Sequence, residues 1–182
     1  PGMPKVIVHN PVLAFEQGDE FMQAWYDAEA GKLDPFVLIL EGSLPNEKLL
    51  NWVRMSATAV TTYYGRFPVN SLRLLLVPVD GARIRGGTTW GYRGAGIRIP
   101  LGRDATEDVL RRDWVMVHEM VHTALPDMPD RYAWLSEGLA VYVEPVARVQ
   151  AGDLTAQEIW QAMMRDMPKG LPQAGDQGLD NT

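Results

Sequence analysis

Two stretches decide the reading of this chain: His118-Glu119-Met120-Val121-His122 and, after the fourteen residues 123–136, Glu137 within Trp134-Leu135-Ser136-Glu137-Gly138-Leu139-Ala140-Val141-Tyr142-Val143-Glu144. The first has the pattern H-E-x-x-H. Around it Leu110, Trp114, Val117, Val121 and Ala124 recur three or four residues apart, which predicts a helix set in a core with its histidine edge turned to a cleft. Side chains four apart on a helix lie on one face, one turn above each other, so both imidazoles can reach one cation. Zinc takes nitrogen ligands at about 2.0–2.1 Å. Glu119 sits about 100° round the helix from His118, beside such an ion, where it can take a proton from the attacking water and hand it to a leaving amine. Only three histidines occur in the chain, and two fall in this motif. The plain alternative is a helix carrying two surface histidines and a solvated glutamate.

A catalytic zinc site needs a third protein ligand and an open position. The second stretch predicts an apolar, buried helix over 135–149, and a carboxylate there is costly unless paired or bound to metal. Glu137 is therefore the expected third ligand; its alternative is a helix-start carboxylate meeting the dipole. Glu144, two turns further on the same face, is expected either to hold a ligand histidine from behind or to form a surface salt bridge. Tyr142 falls on another face and is expected in the core.

Outward from these segments the pattern is mixed. An alternating stretch lies over 5–15, a helix is expected over 19–30, and the run 36–40, bounded by Pro35 and Gly42, suits a buried strand. Ser43, Pro45 and Glu47 mark the start of a helix that runs to Tyr64 and stops at Gly65 and Pro68. A strand follows over 71–78. The glycine-rich segment 81–96 holds Trp90 and Tyr92, placed either to line a substrate pocket or as an ordinary hairpin tip. Residues 97–101 alternate around Ile97 and Ile99, and Pro100, which cannot donate to a ladder, assigns that strand to a sheet edge. Asp104 or Thr106 caps a helix over 105–125, ended by Pro126. A last helix spans 155–167, with Ile159, Trp160, Met163 and Met164 at helical spacing. Such a face is more often core; left exposed, it would favour dimers. The expected architecture is α+β: a small mixed sheet with an edge strand packed on helices, one catalytic domain over 1–167 and a loop or frayed tail over 168–182.

The 182 residues allow one domain with a sizeable core. Lys plus Arg is 17 against 23 Asp plus Glu, for a net charge of −6, so nothing offers a phosphate backbone a footprint and nucleic acid is not an expected partner. Cysteine is absent, which excludes a disulfide framework, a thiol nucleophile and a thiolate metal site. No apolar run approaches the roughly 20 residues of a membrane-crossing helix. The opening Pro1-Gly2-Met3-Pro4 lacks the pattern of a signal peptide; the compartment stays open, with a periplasmic or secreted setting slightly favoured.

HEMVH followed by WLSEGLAVYVE resembles the gluzincin metallopeptidases, in particular their glycyl-aminopeptidase-like members, over about residues 95–145. The resemblance implies a zincin-like fold, one zinc held by His118, His122 and Glu137, Glu119 as general base, and a peptide or protein substrate extended along the edge strand at 97–101. It also implies a further helical part carrying an oxyanion donor, so a chain ending at Asn181-Thr182 reads as a shortened or minimal member. Where some members place an aspartate that supports the first histidine, this chain has Val141. The expected activity is zinc-dependent hydrolysis of peptide bonds. The alternative is a non-catalytic module of the same fold that binds a partner through its cleft or edge strand.

Overall fold

A computed structural model of the chain describes residues 46–69, 72–90, 95–126, 128–172 and 174–175. The stretches 5–15, 19–30 and 36–40 and the side chain of Tyr92 lie outside the described residues.

Helix α1 (Asn46–Tyr64) buries Leu49, Trp52, Val53, Ser56, Ala59 and Val60, positions three and four apart that form one stripe. It ends where Gly65 takes a φ of +76°, the left-handed conformation that suits glycine after a helix. Strand β1 (Leu72–Val79) lies parallel to β3 (Ala95–Gly102), pairing Leu72 with Ala95 through to Val79 with Gly102, and the short β2 (Thr88–Trp90) runs antiparallel to β3. The order β1-β3-β2 makes this a mixed sheet.

That order corrects the expectation drawn from Pro100: among the described residues β3 is the central strand, and the edge beside the motif helix is β2. The proline is accommodated because β2 accompanies β3 only as far as Arg98 and the next bridge on that side joins Ile84 to Leu101, so Pro100 falls between the two. Ile97 and Ile99, expected on an edge strand, are 0% exposed and belong to the core.

The single helix expected over 105–125 is two. Thr106 caps α2 (Glu107–Arg112) by accepting from Val109 N at 3.4 Å, and α3 (Val115–His122) starts afresh after an extended Asp113. The Asp113 carboxylate accepts from the N–H groups of Val115 and Met116 at 3.0 and 2.9 Å and from Trp52 Nε1 at 3.2 Å. A short carboxylate that bonds the backbone two and three residues on competes with helix continuation, and here it wins. The restart turns Trp114, expected in the apolar stripe, out toward solvent, while Leu110, Val117 and Val121 stay buried.

Every residue of α3 from Val115 to Val121 is buried. Around it, α1, β1, β3, α2 and α4 (Ala133–Ala151) close one apolar cluster that runs from Leu49 to Ala147. From Ala140 on, helix α4 joins this cluster, through Ala140, Val143 and Ala147. Its first half departs from the buried helix expected there. Trp134, Leu135, Leu139, Val141 and Tyr142 all lie at the surface, so Tyr142 is not a core residue. Helix α5 (Ala156–Asp166), started by a Thr155–Glu158 capping box, has no buried residue, and Trp160 and Met164 point outward where a core face was expected. No described helix is long and apolar enough to cross a membrane.

Candidate metal centre

Because α3 is buried on all sides but one, its two histidines have little choice of direction. Their side chains are 8% and 13% exposed, and their Nε2 atoms lie 3.1 Å apart with the rings edge to face. The indole of Trp114 meets the His118 ring edge-on, 5.3 Å between centroids. Glu137 arrives from the first turns of α4: Oε2 is 3.1 Å from His118 Nε2 and Oε1 is 3.5 Å from His122 Nε2. Its side chain is 60% exposed, and its outer side opens to the cleft. His118, His122 and Glu137 form a group able to hold a metal ion, with ligand atoms all within 4.8 Å of one another.

Glu119 lines the same cleft and bonds to β2. Its Oε2 accepts a 2.6 Å hydrogen bond from Thr89 Oγ1, whose hydroxyl also lies 3.0 Å from the Glu119 carbonyl oxygen. Ser136, the residue before Glu137, places Oγ 3.1 Å from His122 Nδ1. With Nδ1 bonded to Ser136, Nε2 is the nitrogen turned to the metal position. His118 Nδ1 is buried and has no hydrogen-bond partner.

The electrostatics suit ligation. Burial holds the His122 imidazole below its usual pKa, against the opposing pull of Glu137, and this favours the neutral form that binds metals. Burial also raises the Glu119 carboxyl above the usual range; the Thr89 bond and His122 offset this in part, while the Glu137 charge adds to it. A cleft of about 350 Å³ opens beside Glu119, His122 and Glu137, walled by Gly87, Thr88 and Thr89 on one side and by Leu125, Pro126 and Met128 on the other.

The four residues expected from the motifs therefore meet at one place. The weaker expectations fare differently. Trp90 is on β2, partly exposed, and does not line the cleft. Glu144 does not support a histidine: it is buried and accepts from Arg148 Nη1 at 2.7 Å. Its position on α4 faces the α1 and α3 side near Asp113, where a buried guanidinium balances both carboxylates. Thr89, Gly87 and Ser136 were not singled out by the sequence. Only Ser136 carried a signal, its place next to a presumed ligand.

No family model matches this chain, and no curated protein matches it significantly.

Proposed function

We propose that the chain is a zinc metallopeptidase of gluzincin type, with a zincin-like arrangement of sheet, motif helix and glutamate helix. The spacing of the donor atoms carries this reading. Tetrahedral zinc with bonds of about 2.0–2.1 Å has ligand-to-ligand edges of about 3.3 Å; here His118 Nε2 lies 3.1 Å from His122 Nε2 and 3.1 Å from Glu137 Oε2, while the other carboxylate oxygen, Oε1, lies 3.5 Å from His122 Nε2. Two imidazoles and one carboxylate, with the fourth direction facing the cleft, are a donor set of the catalytic kind.

The bound ion supplies Lewis acidity, polarising the scissile carbonyl and making water more acidic. Glu119 takes the proton from the attacking water and delivers it to the leaving nitrogen. Thr88 and Thr89 form the near wall of the cleft, and among the described residues no strand covers the outer side of β2. An extended peptide adds to that edge through its main chain. The substrate-binding role first expected of strand 97–101 thus passes to β2.

The second reading is a non-catalytic zincin-fold module that binds a peptide or protein in the same cleft. The lining favours it in one respect: among the described residues it contains no tyrosine, lysine or arginine to stabilise an oxyanion. Hydrolysis of a peptide library by zinc-loaded wild type and Glu119→Gln separates the two. The peptidase reading expects cleavage by wild type and a loss of about 100- to 10,000-fold in the variant, with zinc retained. Equal activity in both, or none in zinc-loaded wild type, rejects it.

A further inference from the structure

The carboxylate proposed as the base is held by β2, not by its own helix. Thr89 Oγ1 donates to Glu119 Oε2 at 2.6 Å across thirty positions of sequence. Two residues earlier, Gly87 closes on the same side chain. A Cβ added there would fall 2.5 Å from Glu119 Cγ, 2.7 Å from Cδ and 2.8 Å from Oε1, closer than real Cβ contacts permit. Gly86 has a φ of +122° and needs glycine for its backbone, whereas Gly87 has no such φ. At position 87 the requirement is space alone. Strand β2 and the residue just before it thus supply a hydroxyl to one carboxylate oxygen and a missing side chain beside the other.

We propose that Thr89 and Gly87 are positioning residues for Glu119, a clamp formed by β2 and the residue that leads into it, which fixes the carboxylate beside the metal position. The proposal rests on the peptidase reading for its kinetic consequence but not for its geometry. A free glutamate side chain has three rotatable bonds, and a base that must meet water at hydrogen-bond distance gains from losing that freedom beforehand. Since β2 also forms a wall of the cleft, a peptide that adds to its outer edge and the base on its inner side are registered on one element. Substrate position and base position are then set together.

The test uses the zinc-loaded chain. Thr89→Val keeps the shape and removes the donor; Thr89→Ser restores it; Gly87→Ala keeps the donor and fills the space. Crystal structures of the zinc-loaded variants should show the Glu119 carboxylate displaced in Thr89→Val and Gly87→Ala and in place in Thr89→Ser. With a cleaved peptide, Thr89→Val should lower kcat by about ten- to a hundredfold, as for loss of a hydrogen bond to a charged group. KM, zinc content and Tm should change little, and Thr89→Ser should recover most of kcat. A carboxylate unmoved in Thr89→Val and Gly87→Ala, or kcat within twofold of wild type at equal zinc content, overturns the clamp. A displaced carboxylate in a chain that cleaves no peptide upholds the clamp and rejects the peptidase reading instead.

Discussion

Helix α3 and the first half of α4 bring their candidate ligands to the same point, yet they are built in opposite ways. Seven consecutive residues of α3 are buried, and its restart is tied down by Asp113 to its own N–H groups and to Trp52 of α1. The stretch of α4 around Glu137 shows Trp134, Leu135, Leu139, Val141 and Tyr142 to solvent. The histidines are therefore preorganised by core packing, while the glutamate is held by its place on a helix whose anchor is the other half. In such a site two ligands define the position of the ion and the third closes on it.

The contrast can be broken at four points. Replacing a histidine should cost most: His118→Ala and His122→Ala should each lower zinc affinity by more than the roughly 10–100-fold typical of losing a hydrogen-bond partner behind a ligand. Glu137→Ala should cost less than either, because water can take the place of a solvent-facing ligand. Equilibrium competition with a chromophoric chelator measures all three, and a larger loss in Glu137→Ala would invert the account of which helix organises the site.

Stability should follow the same asymmetry. Met116→Ala, at a fully buried site of α3, should cost about 2–5 kcal/mol in urea unfolding, while Leu139→Ala on exposed α4 should stay within about 0.5 kcal/mol. Similar costs would mean that α4 is covered as α3 is. Ser136→Ala removes the partner of His122 Nδ1 and should lower zinc affinity by about tenfold; an unchanged affinity would leave Ser136 without a role in orienting the ring.

The smallest effect concerns pH. Burial raises the Asp113 carboxyl above its usual range, against the lowering effect of its bonds from Met116, Val115 and Trp52. A carboxyl with a folded-state pKa above its unfolded one adds stability below the unfolded value, near pH 4, and loses that addition as pH rises through the folded value. Asp113→Asn keeps a capping oxygen without a titrating group. The unfolding free energy of wild type minus that of Asp113→Asn should therefore fall over the interval upward from about pH 4. A difference that rises over that interval contradicts the burial argument.

The chemistry-bearing residues were legible because their signal is local. The four-residue spacing of His118 and His122 needs only a helix, and Glu137 stands out as one of two carboxylates in an apolar segment. The end of α1 followed from Gly65 and Pro68, which act within a turn. What was not legible depends on partners distant in sequence. Pro100 is compatible with an edge strand or with a central strand whose neighbour has already ended, and only the pairing distinguishes them. Asp113 looked like an interior position of one long helix, since its competition for backbone N–H groups is decided by Trp52 and the core. Apolar spacing in α4 and α5 indicates what can be buried, not whether anything covers it. Thr89 and Gly87 act on Glu119 from thirty or more positions away, with no pattern to announce them.

The central claim is that two imidazoles from a buried helix and one carboxylate from its exposed neighbour hold a single divalent ion with a position open to the cleft. Anomalous diffraction at the zinc edge on crystals of the zinc-loaded chain tests it directly. The account predicts one peak per chain about 2.0–2.2 Å from His118 Nε2, His122 Nε2 and a Glu137 oxygen, with solvent as the remaining neighbour. A peak held by other residues, or a Glu137 carboxylate turned away from an ion bound to the histidines alone, contradicts it.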